Sequence, residues 1–166
     1  MDSSDYIAST STVIALLALI ITIFQLRSAR KHNILSVRPL ISMHVERDDV
    51  LKYSFENKGL GPAIVAQATF IIGDNRLDNP TYEQLQSALS LIKGTDFAIF
   101  KYEYHLPVVG AAYKVGEKID ILQFNTIEKE RNAELYKILE ESVEIQLIYQ
   151  SLYQDNIFGC STKEHS

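Results

Sequence analysis

The residues able to do chemistry are few and scattered. His32, His44, His105 and His165 are the only histidines, and they share no metal-ligand spacing with the single cysteine, Cys160. Ser36, Ser42 and His44 form no nucleophile arrangement, and His44 falls on the polar side of an alternating run, where a solvated imidazole is expected. Gly59-x-Gly61 lacks the third glycine and the strand–turn–helix setting of a phosphate cradle, so it reads as a tight turn. Asp48-Asp49 and Asp74-x-Arg76 lie among turn residues, and Glu128-Lys129-Glu130-Arg131 reads as a solvated helix face with local charge pairing. No catalytic residue, cofactor site or metal site is expected. Aromatic residues remain: Phe100, Tyr102 and Tyr104 lie together, and Tyr149 and Tyr153 lie near the C-terminal end. Exposed, they would form a binding patch; the favoured reading is core, with phenol groups reaching the edge to find partners.

The other polar residues of interest lie inside an apolar run. Residues Ile7 to Leu26 read IASTSTVIALLALIITIFQL and carry no charge. As a helix they span about 30 Å, the thickness of the hydrocarbon core. A cleaved signal peptide is the rival reading. Against it, Asp2 and Asp5 make the leading segment acidic, the apolar core is long, and Arg27, Arg30 and Lys31 stand where a small-residue cleavage site belongs. The segment therefore reads as a transmembrane helix. The basic residues on its C-terminal side predict N-terminus out and domain in the cytoplasm, with Arg27, Arg30 and Lys31 at the anionic membrane surface. Within Val13 to Leu26, the residues that are not large and apolar are Ala15, Ala18, Thr22 and Gln25, spaced 3, 4 and 3. Ala8, Ser11 and Ala29 extend the series. Such a stripe lets helix backbones approach closely in lipid, so a homo-oligomer packed along it is expected. A pore lined by Thr22 and Gln25 would lack a charged ring to select ions.

These elements divide the 166 residues into a tail (1–6), the span (7–26), a basic juxtamembrane segment (27–38) and one domain (39–166). Removing Asp2, Asp5, Arg27, Arg30, Lys31 and Arg38 from the chain's 16 basic and 21 acidic residues leaves the domain with 12 and 19, a net of −7. A surface so acidic excludes non-specific nucleic-acid binding, which needs positive charge against phosphates. One cysteine permits no internal disulfide, which agrees with a reducing compartment.

Arg38-Pro39 should stop any helix. Ile41, Met43 and Val45 then alternate as a first strand, and Leu51, Tyr53 and Phe55 as a second paired to it. Residues 57–62 are the densest turn signal, followed by alternating Ile64, Ala66, Ala68, Phe70 and Ile72, ended by Gly73-Asp74-Asn75. Thr81 and Gln84 have capping-box spacing before a helix with Leu85, Leu89 and Ile92 on one face, ended by Gly94. Phe97 to Leu106 and Lys118 to Phe124 read as strands, the latter with Ile119 and Ile121 opposite Asp120 and Leu122. A second helix runs from Thr126 to about Glu141, with Ile127, Leu135, Ile138 and Leu139 inward. Val143, Ile145, Leu147 and Tyr149 alternate in the last long strand, and Gln154-Asp155-Asn156 turns it back near Ile157 to Cys160, before a frayed end over Thr162 to Ser166. The expected class is mainly β: an antiparallel β-sandwich with two short inserted helices.

The chain resembles a group of small, largely uncharacterised bacterial membrane proteins with one N-terminal span, a short basic segment and an immunoglobulin-like sandwich. Three stretches carry the resemblance: His32-Asn33-x-Leu35-Ser36-Val37-Arg38-Pro39, Asn57-x-Gly59-x-Gly61-Pro62-Ala63 and Val143-x-Ile145-x-Leu147-x-Tyr149. It implies a fold, a tether and a bacterial inner membrane, with no activity. The expected function is a non-enzymatic, membrane-tethered interaction module with an unidentified protein partner. The alternative is a membrane-disrupting, defence-associated effector that oligomerises through the span.

Overall fold

The structure, a computed structural model, describes residues 3–48, 50–92, 100–126, 132–153 and 157–163. The chain divides into two compact units, Met1–Ser36 and Val37–Ser166.

The first unit is one helix, α1 (Ser3–Ser36). It does not end at Leu26 but runs on through the basic segment and stops just ahead of Arg38-Pro39, as the proline requires. Its large apolar residues are exposed, and it is long and apolar enough to cross a membrane. Hydroxyls along the apolar run bond back to the helix: Thr10, Ser11 and Thr12 donate to the carbonyls of Tyr6, Ile7 and Ala8, and Thr22 donates to that of Ala18 at 2.8 Å. Back-bonding of this kind lets Ser and Thr reside in an apolar helix without orphaned donors.

The second unit is built from β1 (Ile41–Arg47), β2 (Leu51–Asn57), β3 (Ala63–Ile72), β4 (Asn75–Asp78), α2 (Tyr82–Leu89), β5 (Phe100–Tyr104), β6 (Ala112–Tyr113), β7 (Lys118–Thr126), α3 (Asn132–Ser142), β8 (Val143–Gln150) and β9 (Ile157–Ser161). All strand pairs are antiparallel, in two sheets of order β1-β2-β7-β5 and β4-β3-β8-β9, with β6 added beside the start of β3. Both sheets feed one core. Tyr53, Phe55, Ile121 and Phe124 come from the first, and Phe70, Ile72, Ile145 and Leu147 from the second.

The alternating strands form where the sequence places them, but two bulges change their parity. In β3 the register shifts between Val65 and Gln67. Ala63 and Val65 therefore join Ala68, Phe70 and Ile72 in the core, while Ile64 and Ala66 face outward. In the β2–β7 pair, Tyr53 lies opposite Leu122 but Ser54 lies opposite Asp120. Ile121 is the extra residue, so Leu122 and Phe124 are fully buried, whereas simple alternation put Leu122 on the outer face with Asp120. Gly73, at φ 57°, ends β3 where expected and turns the chain into a hairpin with β4. Neither β4 nor the two-residue β6 has a sequence signal strong enough to expect. β7 runs on through Thr126, and α3 is described from Asn132. Residues 93–99, 127–131 and 154–156 lie outside the described residues, and with them Gly94, Ile127, Glu128-Lys129-Glu130-Arg131 and the Gln154-Asp155-Asn156 turn.

The two helices are inserted where the chain leaves one sheet for the other. α2 carries the expected capping box: Thr81 Oγ1 accepts from the Gln84 amide at 3.3 Å, and Gln84 Oε1 accepts from the Thr81 amide at 2.9 Å. It buries Leu85, Ala88 and Leu89. α3 buries Tyr136 and Leu139 on the same core, with Ile138 packed beside them.

Candidate functional site

Two places bring together the residues singled out in the sequence. The first is the stripe on α1. Ala15, Ala18, Thr22 and Gln25 are all exposed along the helix, as a 3, 4, 3 spacing dictates. Thr22 spends its proton on its own backbone, so it offers a neighbour only an acceptor. The Gln25 amide finds no hydrogen-bond partner among the described residues. It is the polar group on this stripe that a second helix could satisfy. Because α1 continues past Leu26, Arg27, Arg30 and Lys31 are helical too. Separations of three and four residues put them on one face.

The second place is where the chain joins the sheets, and there the ends of all three resembling stretches converge. Val37–Leu40 is held by backbone. The Lys58 amide donates to the Leu40 carbonyl at 2.8 Å and the Leu60 amide to the Arg38 carbonyl at 2.9 Å. Gly59 and Gly61 make this possible. A Cβ on Gly59 would meet the Arg38 carbonyl oxygen at 2.6 Å, and one on Gly61 would strike the Val37 backbone. Asn57, fully buried, organises the turn with its side chain. Its Nδ2 donates to the carbonyls of Gly61 (2.8 Å) and Tyr113 (3.0 Å), and its Oδ1 accepts from the amides of Gly59 (3.0 Å) and Leu40 (3.4 Å). Tyr149, at the end of β8, accepts at its hydroxyl from the Ile41 amide at 3.0 Å. Its ring stacks on Phe158 at 5.6 Å, and the Arg38 guanidinium lies 5.0 Å from the centre of the Phe158 ring. Burial pushes the Tyr149 phenol pKa up, against the Ile41 amide, which lowers it.

The sequence marked Gly59 and Gly61 as turn residues but missed Asn57 as their organiser. The signal was present: an asparagine two residues before a glycine is the setting of an Asx turn.

Of the remaining candidates, Tyr102 and Tyr104 come together, while the others stay apart among the described residues. His44 is half-buried on the outer face of the first sheet, 3.7 Å from Glu56, and not fully solvated. Tyr102 and Tyr104 stack at 5.7 Å and pack against the core, with Tyr82 beside Tyr104 at 4.9 Å; the Phe100 side chain lies outside the described residues. Tyr153 is exposed. The half-buried Cys160 thiol points to the Leu147 carbonyl at 3.9 Å. Among the described residues no group of three or more His, Cys, Asp and Glu is placed to hold a metal ion.

Neither a curated protein nor a solved structure matches the chain. A family does, over residues 6–163, and its match takes in the apolar helix, the junction and the sheets together. The chain belongs to that family, described as a domain of unknown function, DUF8453.

Proposed function

We propose that the chain is a membrane-tethered, non-enzymatic interaction module. In this reading α1 crosses the bacterial inner membrane with its N-terminus outside. The sheets stand on the cytoplasmic face, and copies associate through Ala15, Ala18, Thr22 and Gln25 to present a protein partner with several modules. One observation carries the reading: α1 is long and apolar enough to cross a membrane, and its large apolar residues are exposed.

Charge supports the direction. Arg27, Arg30 and Lys31 share a helical face at the C-terminal end of the apolar run, where the positive-inside rule puts cytoplasm and anionic headgroups. Strand order supports an immunoglobulin-like sandwich. With β6 set aside, β1-β2-β7-β5 and β4-β3-β8-β9 run in the order A-B-E-D and C′-C-F-G of that fold. An amide at Gln25 without an intrahelical partner supports association, because satisfying it across a helix pair in lipid contributes about 1 kcal/mol.

The test is self-association of the full chain in membranes. Ala15→Leu with Ala18→Leu is expected to lower a two-hybrid or FRET signal several-fold while the protein stays in the carbonate-resistant membrane fraction. An unchanged signal rejects the stripe, and release by carbonate rejects the tether. The same unpartnered Gln25 favours a second reading, an effector that permeabilises the membrane on assembly. It requires that overexpression depolarise cells and that Gln25→Leu relieve this.

A further inference from the structure

At the end of the sheets away from Val37 lies a cleft of about 620 Å³, within the range of small-molecule sites. It opens between α3, the last residues of β1 and the start of β8. Val45 and Val143 give it apolar walls, and Tyr53 lies at its base. Tyr53 is fully buried, its ring edge-on to Phe124 at 6.4 Å. Its hydroxyl is buried yet has no hydrogen-bond partner among the described residues. A buried donor left unpaired costs stability, so such a group calls for an acceptor, supplied by a water, an ion or a ligand.

The rim shows what kind of acceptor. Arg47 and Glu140, the charges that act on the Tyr53 hydroxyl, are paired with each other. Lys163 donates to the Glu141 carbonyl at 3.1 Å, and Lys137 stands 4.0 Å from the Glu141 carboxylate. Among the described residues that line the cleft, Arg47, Lys137 and Lys163 stand against Glu140 and Glu141, with Glu144 also acting on Lys163. Thr162 accepts from the Ile145 amide at 3.1 Å, which leaves its own proton to donate. Burial also raises the Tyr53 pKa, so the phenol stays a donor at neutral pH.

We propose that this cleft binds a small oxyanion with a short apolar body, a carboxylate or a phosphate monoester. One of its oxygens accepts from the Tyr53 hydroxyl, and its charge replaces Glu140 beside Arg47. Lys163 supplies the second positive charge, and Val45 and Val143 cover the apolar body. The exchange frees Glu140, and with it the C-terminal turn of α3, so occupancy is reported on the helix surface. Nothing in this depends on the tether or on self-association.

The full chain in detergent micelles is titrated with benzoate, phenyl phosphate and inorganic phosphate by calorimetry. Saturable binding of benzoate or phenyl phosphate is expected, and which of the two binds identifies the anion. Inorganic phosphate alone should bind more weakly, for want of the apolar body. Tyr53→Phe and Arg47→Gln should each weaken binding about tenfold or more. Without ligand, Tyr53→Phe should melt at the same or a higher temperature, because it removes an unpaired hydroxyl. Three results would overturn the proposal: no saturable binding of any probe up to about 10 mM, equal binding by Tyr53→Phe, or a lower melting temperature of ligand-free Tyr53→Phe. The last would mean that the hydroxyl is already bonded, for instance to water.

Discussion

Replacing Asn57 by alanine strips four side-chain hydrogen bonds from a fully buried position. Two carbonyls and two amides lose their partner at once. Asn57→Ala is expected to destabilise the sheets by about 3 kcal/mol, read from urea unfolding of the full chain in micelles. A second prediction concerns acid. Glu144 is held below its ordinary value of 4.5 by a hydrogen bond from Gln146, with Ser161 adding another; Asp78 is held below 3.8 by the Thr69 hydroxyl, with Arg76 beside it. A carboxylate depressed in the folded state stabilises it above the unfolded pKa, and that contribution is lost as pH falls through the folded value. The melting temperature should therefore be flat above about pH 5 and fall below it. Glu144→Gln combined with Asp78→Asn should flatten the fall.

Elements were legible wherever periodicity spoke for itself. β8 alternates along its whole length, β1 and β2 keep the expected Ile41-Met43 and Leu51-Tyr53-Phe55 faces buried although Ser54 is buried besides, and α2 announces its start through Thr81 and Gln84. Alternation failed at the bulges. A single extra residue at Ile121 or beside Val65 reverses every side chain beyond it, and nothing in an apolar run such as Ile121-Leu122 says which residue is the extra one. The pairing partner decides that. β6 was illegible for a similar reason: two residues carry no period, and Ala112-Tyr113 is a strand only because Ala63 and Ile64 lie beside it. At this scale the capping box gives the cleanest test. Thr81→Ala should cost about 1 kcal/mol, and Gln84→Ala less, in thermal unfolding. An equal loss from a substitution on the exposed face of α2, such as Ser87→Ala, would show that the cap is not the cause.

For the whole molecule, the order of helix, junction and sheets was legible, because a charge-free apolar run and a proline mark the boundaries from sequence alone. What held the junction was legible only in part: Asn57-x-Gly59 carries the sign of an Asx turn, but its backbone partners at Arg38 and Leu40 lie far off in the chain. The family match spans the same three parts, so the junction belongs to the shared unit. Its make-up also sets which substitutions the chain can tolerate. The stretch Val37–Leu40 is recognised through its carbonyls and amides, whatever side chain Leu40 carries, whereas Gly59 and Gly61 cannot accept a single added carbon. Saturation mutagenesis should therefore give a lopsided map, permissive at Leu40 and closed at Gly59 and Gly61. Gly59→Ala should cost about 2 kcal/mol and expose the Lys58 and Leu60 amides to hydrogen exchange. The information that fixes Val37–Leu40 against the sheets is written on one side of the contact only, in residues chosen for what they lack.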